Sequence, residues 1–219
     1  KGFVDDTIEP LWGSQLEDLP ILGGYDYLEH YSGAVAICIA ENTAARRSLV
    51  QKLRSNRNIS FPLVKSSRVL ISPHVTFGEG CIASHAYSVI NPGVKIGEFV
   101  IILDRTSIGD DVTIGDYSTL YAGINVGVAA NIGENCVIGS GVTILPRVKI
   151  GNGSIIGAGS VVAKDIPPYV VAIGAPAKAV RKTGDATTLP VTEEVRTEGI
   201  GTLLTRGREQ ENSIFRSIF

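Results

Sequence analysis

A six-residue repeat runs through the middle of the chain and restricts its fold more than any other feature. Between residues 94 and 163 every sixth residue is a branched aliphatic one; the positions are Ile96, Ile102, Ile108, Ile114, Leu120, Val126, Ile132, Ile138, Ile144, Ile150, Ile156 and Val162. An α-helix has a period of about 3.6 residues and a single strand a period of about 2, and neither produces this spacing. A period of six indicates a parallel β-helix built from hexapeptides.

The spacing also predicts how each coil is arranged. Three hexapeptides form one triangular coil, in which the aliphatic side chain points inward and stacks on its equivalents in the adjacent coils. The residue two places earlier faces inward near a corner and is small or β-branched, as at Val94, Thr106 and Ala130. Gly follows the aliphatic residue in eight of the twelve repeats, and we expect it to form the turn.

The repeat begins before this block and stops soon after it. Ile71, Phe77 and Ala83 keep the period of six, but the spacing from Ala83 to Ile90 is seven, which predicts a one-residue bulge around positions 84 to 88. Beyond Val162 the Pro-rich segment 164–168 ends the repeat. We therefore assign residues 67–182 to the β-helix.

Residues 1–66 have a different pattern, in which short extended segments alternate with helical ones. Asn42 is placed to cap a helix from Thr43 to about Arg54. Strands are predicted over 1–4, 20–22, 33–40 and 59–64, and a possible helix over 25–31. This alternation predicts a small α/β domain with a parallel sheet. No glycine-rich turn comes before Phe3, so we interpret the domain as Rossmann-like without its first β-α unit.

The composition argues against several classes of function. The net charge of −2 creates no field that attracts nucleic acid or an anionic membrane, and the apolar runs are too short for membrane insertion. The cysteines at 38, 81 and 136 lack metal-ligand spacing, so we predict no metal site, a packing role for Cys136 and a reducing, cytoplasmic location. Residues 183–219 form a polar extension with an apolar end, which either docks on a neighbour or is disordered.

Several stretches together resemble one protein family. They are GFVDD at residues 2–6, the hexapeptide block, GAGSVV at 157–162 and KDIPPYVVAIGAPAK at 164–178. In this combination they are similar to the PglD/NeuD-type sugar acyltransferases over about residues 1 to 182. The resemblance implies a left-handed β-helix, a homotrimer and acetyl-CoA in the groove between two adjacent β-helices. It also implies that the α/β domain holds a nucleotide-activated amino sugar.

The resemblance assigns residues on the cofactor and nucleotide sides. Gly127 and Val128 match the position whose backbone N–H faces the thioester oxygen, where it would stabilise the oxyanion. Asp5 and Asp6 match an acidic pair that binds the base or ribose at the carboxyl end of a strand. The positions that line the pantetheine and its surroundings are matched by Ser140, Gly157, Ala158, Gly174, Ala175, Pro176 and Lys178.

The histidines of the family pattern are absent from this chain. Asp110 stands where the family has its general base, and Asp111 where it has the carboxylate that orients the base. Two further family histidines are replaced by Thr119 and Lys65. An ordinary Asp has a pKa of about 3.9, which is a poor match for removing a proton near neutral pH. His85, in the bulged coil, is an alternative base that would have to act across a subunit interface.

Three functions are open at this point. The first is N-acetylation of a nucleotide-linked amino sugar by acetyl-CoA, which tolerates a weak base because a neutral amine is itself a nucleophile. The second is O-acetylation of a sialic acid-like sugar, which depends more on a base. The third is a non-catalytic hexapeptide-repeat protein for binding or assembly, which the missing histidines and the extension favour.

Overall fold

The computed structural model describes residues 2–16, 18–84 and 87–184. The N-terminal part of this region combines five short strands with an α-helix and two 3₁₀ helices. Their bounds are Phe3–Val4 (β1), Asp6–Leu11 (3₁₀), Gln15–Leu16 (β2), Leu19–Gly23 (β3), Tyr25–His30 (3₁₀), Gly33–Ala34 (β4), Thr43–Leu53 (α1) and Ile59–Ser60 (β5). No helix within the described ranges is long and apolar enough to cross a membrane.

The capped helix predicted after Asn42 is confirmed. The Asn42 side-chain oxygen accepts a hydrogen bond from the backbone N–H of Ala45 at 2.9 Å, which satisfies one of the free donors of the first turn. Leu49 and Leu53, which lie four residues apart on one face, are both buried.

The α/β prediction is confirmed only in part. β1 and β3 are parallel, β2 runs antiparallel to β3, and β4 and β5 form a separate parallel pair. The strands predicted over 33–40 and 59–64 are wrong in extent. Their ladder stops after the Val35 N–H donates to the Ser60 carbonyl at 2.9 Å, because Pro62 has no N–H with which to continue it. A doubly wound, Rossmann-like sheet is not confirmed.

Strands β6 to β23 wind into a parallel β-helix with three faces, here called the prism. Face 1 contains β7 (Leu70–Ile71), β10 (Val89–Ile90), β13 (Ser107–Ile108), β16 (Asn125–Val126), β19 (Thr143–Ile144) and β22 (Val161–Val162). Face 2 contains β8 (Thr76–Phe77), β11 (Lys95–Ile96), β14 (Thr113–Ile114), β17 (Asn131–Ile132) and β20 (Lys149–Ile150). Face 3 contains β6 (Val64–Lys65), β9 (Ile82–Ala83), β12 (Ile101–Ile102), β15 (Thr119–Leu120), β18 (Val137–Ile138), β21 (Ile155–Ile156), β23 (Val170–Gly174) and the antiparallel β24 (Ala177–Lys182).

Each corner of the prism is named here by the two faces that it joins. Corner 1–2 includes residues 109–112 and 127–130, corner 2–3 includes 97–100 and 115–118, and corner 3–1 includes 139–142 and 157–160. The parallel hexapeptide β-helix predicted from the repeat is confirmed. Its first strand, Val64–Lys65, pairs with Ile82–Ala83, so this strand belongs to the prism and not to the α/β segment.

The core of the prism is the predicted aliphatic stack. All twelve repeat positions are buried, and each pairs with its equivalent eighteen residues away, as in Ile102, Leu120 and Ile138. The small inward positions are buried as well, and the polar ones are satisfied by backbone groups. The Ser118 hydroxyl, for example, donates to the Gly133 carbonyl at 2.7 Å and accepts from the Cys136 N–H at 3.0 Å.

The repeated glycine has a different role from the one expected. The backbone takes its left-handed turn at the third residue of each corner, as at Asp111 (φ 57°) and Ala129 (φ 55°), and not at the glycine. Glycine is required because adjacent coils approach closely. A Cβ added to Gly127 would lie 2.5 Å from the nitrogen of Pro146 in the next coil, and one added to Gly139 would lie 2.5 Å from the nitrogen of Ala158.

The predicted bulge changes the pairing of the first coil. Ile71 pairs with Ile90, Phe77 with Ile96 and Ala83 with Ile102, each nineteen residues apart instead of eighteen. The extra residue therefore lies between Ala83 and Ile90. His85 and most of the C-terminal extension lie outside the described residues.

Helix α1 packs along corner 2–3. Arg47 pairs with Glu134 at 3.1 Å, and Arg54 pairs with Glu98 at 2.6 Å. Seven helical residues rise about 10.5 Å and two coils are about 9.6 Å apart, so the two ion pairs match the coil spacing. Between them the apolar face of α1 packs on the buried rings of Phe99 and Tyr117 at this corner.

The cysteine environments predict how many thiols react in the folded protein. Cys38 is exposed, although desolvation raises the pKa of its thiol, whereas deeper burial raises the pKa of both Cys81 and Cys136 to about 11. The Cys136 thiol lies 3.3 Å from the Gly151 carbonyl, which confirms its packing role. We expect a disulfide reagent at pH 8 to label only Cys38 until denaturant is added. Rapid labelling of a second thiol in the native protein would contradict this arrangement.

Candidate active site

Corner 1–2 carries the predicted catalytic residues on two consecutive coils. The Ala129 N–H donates to the Asp110 carbonyl at 2.8 Å, so the corner that contains Gly127 and Val128 lies one coil after the corner that contains Asp110 and Asp111. All but Gly127, which is half-buried, are exposed. Asp110 and Asp111 lie on the corner itself and not in a strand. Among the described residues, neither carboxylate takes part in an ion pair.

The predicted oxyanion position has a backbone donor that no described residue uses, as do the equivalent corner positions Asp110 and Ala122. At corner 2–3 the Asp116 carboxylate caps the Glu98 N–H at 2.8 Å, and the Asn152 side chain caps the Glu134 N–H at 3.1 Å. The equivalent cap for Val128 would come from residue 146 in the next coil, which is Pro and has no acceptor in its side chain. The Val128 N–H therefore has no acceptor in the described part of the chain.

Corner 3–1 brings together most of the residues predicted to line the pantetheine. The Gly159 N–H donates to the Ser140 carbonyl at 2.8 Å, so Ser140 and Ala158 stack on consecutive coils. No residue of the described chain accepts a hydrogen bond from the N–H of either one. The space beside Gly157 is occupied by Ile173, whose methyl group would lie 2.6 Å from an added Cβ.

The hairpin between β23 and β24 closes this corner. Gly174 donates its N–H to the Ser160 hydroxyl at 3.1 Å, and Ala175 and Pro176 form the connecting turn. Lys178, at the start of β24, is exposed. The hairpin thus places a cationic side chain near a row of small residues with free backbone donors.

The two groups of residues do not meet within one chain. Val128 lies on corner 1–2 and Ser140 on corner 3–1, at opposite edges of face 1. The sequence motifs alone did not reveal this separation, because a period of six contains no information about which residues share a corner. The period of eighteen does contain it: positions 110 and 128 form one column and positions 140 and 158 form another.

The acidic pair of the α/β segment lies at the end of β1. The Asp5 carboxylate caps the first 3₁₀ helix by accepting from the Thr7 N–H at 2.7 Å. The Asp6 carboxylate accepts from the Tyr25 N–H at 2.6 Å, just after the parallel neighbour β3. Both side chains therefore order the carboxyl end of this small sheet, which is where ligands of open α/β sheets bind.

The described histidines and the substituted family positions are well separated. His30 is exposed in the α/β segment. His74, which also is exposed, lies on corner 1–2 two coils before Asp111, at a spacing of about 9.6 Å. Thr119 is fully buried on face 3 beneath the α/β segment, and Lys65 is exposed in β6. Of the described histidines, only His74 therefore shares a corner with Asp110, Asp111, Gly127 and Val128.

Two family models match within the prism. The bacterial transferase hexapeptide (six repeats) matches residues 129–164, and the hexapeptide repeat of succinyl-transferase matches residues 105–146. No curated protein matches the sequence.

Several solved structures are similar over most of the chain. The acetyltransferase domain of PglB from Neisseria gonorrhoeae FA1090 has a TM-score of 0.76 at 23% identity, with 82% of this chain and 86% of that one covered, and shows the shared fold. WeeI from Acinetobacter baumannii AYE has a TM-score of 0.74 at 29% identity, with 82% and 85% covered. PerB from Caulobacter crescentus, in complex with CoA and GDP-perosamine, has a TM-score of 0.62 at 29% identity, with 75% and 80% covered.

The hexapeptide models and the likeness to WeeI and PerB agree with the motifs at residues 2–6 and 164–178. The architecture of mostly parallel sheets is that of the hexapeptide acetyltransferases. The predicted resemblance to the PglD/NeuD-type family of hexapeptide-repeat sugar acyltransferases is therefore confirmed.

Proposed function

We propose that this protein is a trimeric acetyltransferase with a left-handed prism that uses acetyl-CoA to N-acetylate a nucleotide-linked amino sugar. The observation that carries the proposal is the set of unused backbone donors, at Val128 on corner 1–2 and at Ser140 and Ala158 on corner 3–1. Free N–H groups on a surface of small residues suit a ligand with carbonyl groups along its length. The similarity to PerB, whose structure contains CoA and GDP-perosamine, supports the same chemistry.

The separation of the two corners is the reason for proposing a trimer. If corner 1–2 of one prism packs beside corner 3–1 of the next, Val128 and Ser140 of different chains line a shared groove. Such a contact joins different surfaces of two copies, and three copies close it into a ring. Exposed apolar side chains at corner 1–2, Val128 at 45% and Leu145 at 40%, would then be covered.

The corner residues can support acyl transfer to an amine. The amine nitrogen attacks the thioester carbonyl carbon, and the Val128 N–H donates to the oxygen on which negative charge develops. The intermediate then collapses, the C–S bond breaks and CoA leaves as the thiolate. Asp110 orients the amine and acts as a weak base that accepts the proton from its nitrogen. The proton then passes to the CoA thiolate.

The direct test is transfer of labelled acetyl from acetyl-CoA. We would supply GDP-perosamine as the amine acceptor and a sialic acid as the hydroxyl acceptor, each with the full chain. Transfer to the amine alone is the expected result. Transfer only to the hydroxyl would establish the O-acetyltransferase alternative, and no transfer to any nucleotide-linked amino sugar or sialic acid would favour the non-catalytic alternative.

Asp110→Asn is expected to lower kcat by about 10²-fold, the low end for a general base, with little change in the KM for acetyl-CoA. Asp111→Asn is the matched control, because it removes the same charge from the same corner. Its effect should be smaller, since the Asp111 carboxylate leans over Gly93, away from the coil of Val128. An unchanged rate in Asp110→Asn would remove this carboxylate from the mechanism.

A further inference from the structure

Arg46 of α1 is a fully buried arginine at the junction between the α/β segment and the prism. Its relative exposure is 0%, and it is among the largest side chains without solvent contact. One guanidinium nitrogen donates to the Ile39 carbonyl at 2.6 Å and to the Thr119 hydroxyl at 3.0 Å. The other donates to the Tyr117 carbonyl. A single side chain thus joins the segment before α1 to two residues of the prism.

This guanidinium has no carboxylate partner among the described residues. Burial accordingly lowers its pKa to about 10. Its neighbours on α1 differ, because Arg47 and Arg54 form half-exposed ion pairs with the acidic residues of corner 2–3. A buried cation held by carbonyl and hydroxyl oxygens alone is costly, and here the guanidinium Nε also lacks an acceptor among the described residues. Arginine suits the place because its planar fork can hold several acceptors in fixed directions.

Thr119 completes the junction. Its hydroxyl accepts from Arg46 and donates to the Ala40 carbonyl at 2.8 Å, and the residue is fully buried. Arg46 and Thr119 together therefore hold two successive carbonyls of the chain, those of Ile39 and Ala40. The segment 39–41 is fixed against face 3 by polar contacts with defined directions, which apolar packing would not provide.

The segment 39–41 lies where ligands of α/β domains usually bind. It follows the extended chain after β4 and ends at Asn42, the cap of α1, so it lies on the carboxyl-end side of a strand and at a helix N-terminus. Glu41 is exposed and takes part in no ion pair within the described residues. Its charge acts on the half-buried Tyr121 hydroxyl, whose pKa is raised to about 12 chiefly by burial and further by Glu41.

We propose that the Arg46–Thr119 contact positions the acceptor sugar. The contact holds segment 39–41 and the Glu41 carboxylate against face 3. The sugar bound by the α/β segment then reaches the prism corners in one fixed position. This inference rests on the proposed function. Arg46 and Thr119 are positioning residues that touch no substrate. Thr119 stands where the family has a histidine, so this chain uses that position to dock its two parts.

The test compares Arg46→Lys, Thr119→Val and Thr119→Ser with the wild type, using GDP-perosamine as the acceptor. Arg46→Lys keeps the positive charge but loses the planar guanidinium. Thr119→Val keeps the shape of the side chain but loses the hydroxyl, and Thr119→Ser keeps the hydroxyl. We expect Arg46→Lys and Thr119→Val to raise the KM for GDP-perosamine about tenfold, because the acceptor is displaced, while the Kd of acetyl-CoA stays unchanged. Thr119→Ser should restore the wild-type KM.

Amide hydrogen exchange of residues 39–41 gives a readout that is independent of activity. It should accelerate in Thr119→Val and not in Thr119→Ser. Arg47→Gln is the matched control on the same helix; it loses a half-exposed ion pair and should leave the KM and the exchange unchanged.

An unchanged KM in Thr119→Val, or unchanged exchange in both Arg46→Lys and Thr119→Val, would overturn the positioning role. If the wild type binds no acetyl-CoA, the proposed function fails instead. The exchange rates then still decide whether this contact holds segment 39–41.

Discussion

Replacing Val128 with Pro is expected to lower kcat for acetyl transfer by about 10²-fold to 10³-fold, the usual cost of removing one oxyanion donor. The substitution deletes a single N–H that no residue in the described chain uses. The fold should accept it, because the same corner position is already Pro in two other coils, at Pro92 and Pro146. Stability should therefore stay near that of the wild type, and the measurement is kcat at saturating acetyl-CoA with a melting curve alongside.

Val128→Ala is the control for this experiment. It shortens the same side chain but keeps the N–H, so it should retain most of the wild-type kcat. Equal losses in Val128→Ala and Val128→Pro would assign the effect to the half-exposed side chain and not to the backbone donor. A Val128→Pro protein that is folded and fully active would remove the oxyanion role from this position.

Leu120→Ala is expected to lower the free energy of unfolding by about 3 kcal/mol, within the usual range for a buried leucine. Leu120 is fully buried and stacks between Ile102 and Ile138 in the middle of the prism. The neighbouring coils are held by backbone ladders on three faces, so they cannot collapse into the space that is left. Chemical denaturation followed by circular dichroism would measure the loss.

Thr113→Ala provides the matched control for the core substitution. Thr113 occupies the outward position of a prism strand and is exposed, so the change should alter the free energy of unfolding by no more than about 0.5 kcal/mol. If Leu120→Ala were as mild as Thr113→Ala, the aliphatic stack would not be the source of the prism's stability.

The prism could be predicted from the sequence because one local rule is repeated in it many times. Each inward aliphatic residue faces the same environment as its neighbours one coil away, so the period alone defines strand, face and burial. Even the bulge was visible, as a single spacing of seven between Ala83 and Ile90. The role of the repeated glycines could not be predicted, because their close contact with Pro146 or Ala158 depends on how the coils stack.

The α/β segment was harder to predict because its conformation depends on contacts with the prism. The apolar run at 33–40 has the composition of a strand, but its partner leaves the sheet at Pro62. Arg46 gave no signal in the sequence, because its acceptors at Tyr117 and Thr119 lie more than seventy residues away. Long-range polar contacts of this kind follow no local period.

The candidate site was predicted as a set of residues but not as an arrangement. Resemblance identified Val128 and Ser140 by their neighbours in sequence, and only the structure places them on different corners of the prism. That separation makes a second copy of the chain part of the proposed site.

Calorimetric titration of acetyl-CoA into the full chain is the first test of the proposed cofactor site, because it requires no knowledge of the sugar. We expect saturable binding that approaches one molecule per chain. A folded trimer that shows no binding up to about 1 mM acetyl-CoA, which corresponds to a binding free energy weaker than about −4 kcal/mol, would contradict it. The prism would then be a scaffold without a cofactor site.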